Sequence, residues 1–172
     1  NAGILKSFQR GVAAIREMNG VIMIHDHPSS EGLRTTPVLA TVPADVFLSH
    51  PQLHHEVFGP FSIMVLCENM DEMLNVAGAL EGQLTATIQA GDDELTQTHQ
   101  LIDILMHKAG RIILNGVPTG VEVCAAMTHG GPYPASTDSR FTAVGHHAVQ
   151  RWLRPVSFQN FPTNMISDIT ND

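Results

Sequence analysis

Three short apolar runs separated by two helical patterns constrain this chain more than any other feature of it. Phe61-Ser62-Ile63-Met64-Val65-Leu66 is short and continuous, so it reads as a strand buried on both faces. Leu84-Thr85-Ala86-Thr87-Ile88 and Arg111-Ile112-Ile113-Leu114 read as the next two strands. Between the first pair, Met70, Met73, Leu74, Ala77 and Leu80 recur at helical spacing. Asn69 and Glu72 stand at capping-box positions, and Gly82 is the expected stop. Between the second pair, Leu95, Ile102, Leu105, Met106 and Ala109 share one helical face. That helix opens on Gly91-Asp92-Asp93-Glu94, with acid at its positive end, and closes on His107, Lys108 and Gly110. Strand, helix, strand, helix, strand is the pattern of an α/β fold with a mostly parallel sheet and crossover helices.

The flanking segments extend this frame. Ile4, Leu5, Phe8, Val12 and Ile15 predict a helix over residues 3–18, ended by Asn19-Gly20. Val21 to Ile24 is a short strand or a buried bend, and His25 to Gly32 is a loop. Pro37 to Val42 is a strand, and Pro43 opens a short helix that ends before Pro51. Residues 115–138 are rich in Gly and Pro and read as a long loop, of the kind that carries function or wraps a neighbour. Phe141 to Leu153 reads as a helix, Arg154 to Gln159 as an edge strand that tolerates Pro155, and Asn164 to Asp172 as a frayed tail.

Charge and composition exclude several classes of function. The net charge of −8 leaves no basic patch for a nucleic acid. No apolar run approaches the ~20 residues that span a bilayer, so no membrane partner is expected. The start Asn1-Ala2-Gly3-Ile4-Leu5-Lys6 does not resemble a signal peptide, and Cys67 and Cys124 fit free thiols in a reducing, cytoplasmic setting. The pairs His25/His27, His54/His55 and His146/His147 lack the spacing of a zinc site, so no metal is expected. Met64, Met70, Met73 and Met106 fall at expected core positions.

The stretch Leu53-His54-His55-Glu56-Val57-Phe58-Gly59-Pro60 feeds the first apolar run and aims Glu56 and Phe58 at a sheet rim. Ligands of open α/β sheets bind at such rims. The local pattern alone favours a loop with Phe58 in the core and Glu56 in solvent. Glu56-Val57-Phe58-Gly59-Pro60, however, resembles the Glu-(Ile/Val)-Phe-Gly-Pro motif of the aldehyde dehydrogenase superfamily. Gly82-Gln83-Leu84-Thr85-Ala86-Thr87 and Ala109-Gly110-Arg111-Ile112-Ile113-Leu114-Asn115-Gly116 resemble two further segments of that family. Pro118 to Val123, His129-Gly130-Gly131-Pro132-Tyr133-Pro134-Ala135 and Arg151 to Gln159 are similar to its branch that oxidises α-ketoglutaric semialdehyde.

The resemblance implies that residues 1–153 are the C-terminal part of a catalytic domain. It implies an oligomerisation strand and tail over 154–172 and assembly as a homodimer or tetramer. In the family the Glu of the motif holds a ribose of the nicotinamide cofactor and the Phe packs by the nicotinamide ring. Glu56 and Phe58 are therefore the expected binding residues for NADP or NAD. Val121, Cys124 and His129, in the loop from Val121 to His129, are expected to line the pocket of a small aldehyde. Asn115 is expected to tie strand to loop. The family's nucleophile lies in a Gly-Gln-x-Cys-Thr segment that these residues do not contain, and the chain begins at Asn1 rather than Met. Cys124 is flanked only by Val123 and Ala125, and Cys67 ends an apolar run. Neither is expected to be catalytic, so the expectation is a fragment that is inactive alone. A rival reading is a truncated, non-catalytic module that dimerises or binds. His55 also departs from the family, many of whose members carry a second acid there.

Overall fold

The computed structural model describes residues 1–26, 32–120 and 123–170, with side chains to residue 166. Helix α1, Ala2–Arg16, is capped by Asn1, whose side chain accepts the Ile4 N–H at 3.0 Å. Its apolar stripe buries Phe8, Val12 and Ile15. Gly20, at φ +85°, turns the chain into strand β1, Ile22–Asp26, and the Arg16 guanidinium pairs with Asp26 at the end of that strand.

Strand β2, Val38–Pro43, pairs antiparallel with β1 and parallel with strand β3, Phe61–Leu66, in the order β1-β2-β3. Helix α2, Ala44–Ser49, makes the crossover between β2 and β3. Pro43 sits just outside α2, at its cap, rather than at its first helical position. Helix α3, Met70–Ala79, begins on a variant of the capping box, in which the Glu72 side chain reaches the residue before the cap instead of the cap itself. Asn69 accepts the Glu72 N–H at 3.0 Å, and the Glu72 carboxylate accepts the Glu68 N–H at 2.8 Å. Strands β4, Gln83–Ile88, and β5, Ala109–Leu114, form a second, parallel pair joined by helix α4, His99–Met106. The parallel α/β character is as expected, but it is divided between two sheets, and β3 and β4 do not pair.

Three buried clusters sit under these sheets among the described residues, the smallest being Phe8, Val12 and Val38. Ile15, Val42, Phe47 and Leu53 form one, with Ile63, Val65, Val76 and Leu80 packed against it. Ala77, Ile88, Leu101 and Leu105 form another, with Ile112 against it. Helix α3 joins these two, since Val76 and Leu80 serve the first cluster and Ala77 the second. Full burial of such a core side chain stabilises by about 1.5–3 kcal/mol.

Several expectations are corrected. Strand β3 is covered on one face only, so Phe61, Ile63 and Val65 are half-buried while Met64 and Leu66 are 44% and 53% exposed. Met73 on α3 and Met106 at the end of α4 are likewise exposed. The helix expected from Gly91 begins at His99 instead. The Glu94 carboxylate captures the Gly91 N–H at 2.8 Å, holding residues 91–94 in a turn, and a 3-10 turn, Leu95–Gln97, follows. Gly110 lies inside β5 and stops nothing. Its missing Cβ makes room for the Gly130 carbonyl, which would stand 2.0 Å from one. Residues 141–153 hold only a 3-10 helix, His146–Trp152, preceded by Gly145 at φ +91°, and they bury no side chain of that helix. Residues 153–159 are exposed and join no strand among the described residues. Helix α5, Thr163–Thr170, replaces the frayed tail.

Candidate cofactor site

The loop 55–60 is held from below and from one side. Leu53 is buried in the first cluster, and the His54 ring lies 4.4 Å from the Phe47 ring with its Nε2 2.9 Å from the Phe47 carbonyl oxygen. Two glycines admit the loop to α1. A Cβ on Gly11 would stand 2.9 Å from Val57, and a Cβ on Gly59, at φ +150°, would stand 2.3 Å from the Phe8 ring. Interior helical glycine costs ~1 kcal/mol relative to alanine, so Gly11 is a local cost offset by close docking. Across the loop, His55 Nδ1 lies 3.1 Å from the Glu81 carboxylate, which precedes β4.

This packing leaves Glu56 and Phe58 pointing outward on one open hollow of about 420 Å³, with Ser7, Arg10 and Gly11 of α1 as its other wall. Phe58 is 66% exposed, which excludes the core role that the local pattern allowed it. The hollow thus presents a carboxylate, a flat aromatic and a guanidinium. Ser7 and Arg10 were not identified from the sequence. Their only signal is the glycine inside α1 that lets their helix reach the loop.

The loop expected to line an aldehyde pocket lies elsewhere. Val121 falls outside the described residues. Cys124 is half-buried in a turn in which its carbonyl accepts the Met127 N–H at 3.2 Å. His129 is fixed by its backbone, its N–H donating to Thr142 Oγ1 at 2.8 Å and its carbonyl accepting the Ala143 N–H at 2.8 Å. The His129 Nδ1 and Arg111 Nε atoms are buried without a hydrogen-bond partner. Arg111 spans the loop, donating to the Gly120 carbonyl at 3.2 Å and reaching Met127 Sδ at 3.8 Å. Asn115 ties β5 to the residues after β4 as expected, accepting the Ala90 N–H and donating to the Ala90 carbonyl, each at 2.9 Å.

A second cavity, of about 1020 Å³, opens between β3 and β4. Cys124 and His129 line neither cavity, so the structure does not bring them together with Glu56 and Phe58. Burial, and then the nearby Glu72 carboxylate, push the Cys67 thiol above its ordinary value. That is the opposite of what a nucleophilic thiol needs. Among the described residues no three His, Cys, Asp or Glu side chains gather as metal ligands, and no helix is long and apolar enough to cross a membrane.

No protein-family model matches the chain. It is 42% identical over 167 residues to α-ketoglutaric semialdehyde dehydrogenase 2 of Azospirillum brasilense, covering 96% of this chain and 32% of that protein. It is 44% identical over 174 residues to the α-ketoglutaric semialdehyde dehydrogenase of Acinetobacter baylyi, covering 100% of this chain and 33% of that one. Among solved structures, the Δ-pyrroline-5-carboxylate dehydrogenase of Mycobacterium tuberculosis bound with NAD matches at a TM-score of 0.61 and 22% identity, over 93% of this chain and 30% of that one. The chain spans about a third of the length of the curated relatives it matches. Along its whole length it is therefore a homologue of one third of an aldehyde dehydrogenase, with the fold of that family.

Proposed function

We propose that these residues are the cofactor-facing C-terminal part of an NAD- or NADP-dependent aldehyde dehydrogenase that oxidises α-ketoglutaric semialdehyde to its carboxylate. The observation that carries this reading is the shared hollow of Glu56, Phe58 and Arg10 in a chain 42–44% identical to enzymes of that name.

The residues present fit a nicotinamide nucleotide. An ionised Glu56 is an acceptor only and suits a pair of ribose hydroxyls, Phe58 offers a flat surface to a flat ring, and Arg10 offers charge to a phosphate. When bound, the cofactor supplies the hydride acceptor. The task of this chain is position, because a misplacement of ~1 Å can cost ~100-fold in rate. The Gly11–Val57 and Gly59–Phe8 contacts set the depth of the loop, and the His54–Phe47 contact sets its base. Residues 123–129, which Arg111 reaches at Met127, supply one wall of the aldehyde pocket, with Cys124 and His129 on it. Neither Cys67 nor Cys124 acts as nucleophile, so the chain alone turns over no aldehyde.

A chimera tests this reading. Joined to the remaining two thirds of the Acinetobacter baylyi protein, this chain is expected to support NAD(P)-dependent oxidation of α-ketoglutaric semialdehyde. A chimera that folds and binds nucleotide yet oxidises none of this aldehyde would contradict it.

A further inference from the structure

Arg111 breaks the pattern of its strand. β5 runs Ala109-Gly110-Arg111-Ile112-Ile113-Leu114, and Arg111 stands beside Thr85 in the parallel pair with β4. A half-buried cation in an apolar strand is costly to desolvate, and such departures collect at functional positions. Among the described residues only its Nη1 nitrogen finds partners, the Gly120 carbonyl at 3.2 Å and Met127 Sδ at 3.8 Å. Its Nε is buried and bonded to nothing. No carboxylate among the described residues pairs with it, the ion pairs there being Arg16–Asp26, His55–Glu81 and Arg140–Asp138. His129 repeats the situation, with a buried Nδ1 that has no partner. The backbone brings the two residues to one place. A Cβ on Gly110 would stand 2.0 Å from the Gly130 carbonyl, and Arg111 and His129 each adjoin one of these glycines.

We propose that Arg111 and His129 recognise the carboxylate end of the substrate. The inference rests on the reading that residues 123–129 wall the aldehyde pocket, and it names the group that this wall receives. Buried donors without partners call for an acceptor. Arg111 Nε and Nη2 form the side of a guanidinium that grips two carboxylate oxygens at once. His129, protonated on Nδ1, donates to the ketone oxygen beside that carboxylate. The aldehyde is then the end left free for the chemistry. A cofactor phosphate fits less well, because Arg111 does not line the hollow of Glu56, Phe58 and Arg10. A purely structural brace also fits less well, since the contacts to Gly120 and Met127 use Nη1 alone. An uncharged aldehyde of the same length leaves both buried donors unmet, which is the strong form of discrimination between substrates.

Steady-state kinetics of the chimera test it, with α-ketoglutaric semialdehyde, succinic semialdehyde and the uncharged pentanal as substrates. The wild-type chimera is expected to favour the acids. Arg111→Gln is expected to lower kcat/KM for the favoured acid by about 10- to 100-fold, mainly through KM, and to leave pentanal unchanged. Arg111→Lys keeps the charge and loses the fork, so its loss should be smaller. Should Arg111→Gln fail to fold, the ratio of acid to pentanal in Arg111→Lys decides. His129→Asn, which keeps a donor near Nδ1, should retain part of what His129→Leu loses. An equal loss for acids and pentanal would make Arg111 a brace of the wall and overturn the inference. So would a wild-type chimera that oxidises pentanal as well as the acids. Oxidation of succinic semialdehyde alone, lost in Arg111→Gln, would count against the proposed substrate and leave this inference standing.

Discussion

Asn115 and Ala90 clasp each other through two hydrogen bonds of 2.9 Å, side chain to backbone in both directions, across the ends of β4 and β5. Asn115 does so at φ +49°, a conformation that asparagine tolerates better than most residues. Removing the side chain strands both Ala90 groups and leaves the strain. Asn115→Ala is expected to destabilise the chain by about 2–3 kcal/mol in urea unfolding, and Asn115→Gly by about 1 kcal/mol less, since glycine relieves the backbone. Equal costs for the two variants would show that the backbone conformation matters little here.

Gly59 is the tightest point between the loop 55–60 and α1, with its absent Cβ 2.3 Å from the Phe8 ring. Gly59→Ala should cost about 1–3 kcal/mol through strain and overpacking. In the chimera the same change should raise KM for the nucleotide more than it alters KM for the aldehyde. An unchanged KM for the nucleotide would mean that the loop's depth is set elsewhere.

The titrations give signed expectations. The Arg140 guanidinium, hydrogen-bonded to Asp138 at 2.9 Å and closer, lowers the Asp138 carboxyl to about 2. A lowered value favours the folded form above the ordinary carboxylate range, and that preference is lost as pH falls through about 2. The Asp138 carbon resonances of the folded chain should therefore stay those of a carboxylate down to pH 3. A midpoint near 4 would show that the pair is open in solution. Cys67 runs the other way. Its raised value keeps the thiol protonated as pH climbs through the ordinary thiol range, so alkylation by iodoacetamide should lag behind that of a free cysteine up to at least pH 9. Rapid labelling of Cys67 at pH 7 would contradict its packing.

Local pattern made much of this fold legible, and non-local pairing hid the rest. Asn69 and Glu72 mark the start of α3 correctly because a capping box is complete within a few residues. The apolar runs place β3, β4 and β5, but nothing within Phe61 to Leu66 says which strand lies beside it, so the separation of β3 from β4 was not legible. Glu94 turning back on Gly91, and Gly145 at φ +91°, each interrupt an apolar period that looks helical. That Glu56 and Phe58 share one hollow was legible because their motif is contiguous. Arg10 and Ser7 were not, because they join the hollow only after Gly11 lets α1 dock on Val57.

The stretch around residues 152–161 exposes Trp152, Leu153, Val156, Phe158 and Phe161, with the Phe158 and Phe161 rings edge to face at 5.3 Å. Apolar side chains exposed in sequence like this mark contact surfaces. The purified chain is expected to self-associate through them at tens of micromolar, as a homodimer or larger, and Trp152→Asp with Phe158→Asp should return it to monomer in sedimentation velocity. A monomeric wild-type chain with fast-exchanging amides over 154–159 would show this stretch to be a free tail.

The most direct test of the central claim is single-turnover reduction of NAD or NADP by the chimera carrying Glu56→Gln. If Glu56 holds the ribose through charge-assisted hydrogen bonds worth about 1.5–3 kcal/mol, hydride transfer should slow by about 10- to 100-fold while the fold and the thermal midpoint stay the same. Unchanged single-turnover and steady-state rates would place Glu56 in solvent, and the hollow of Glu56, Phe58 and Arg10 would not be the cofactor site.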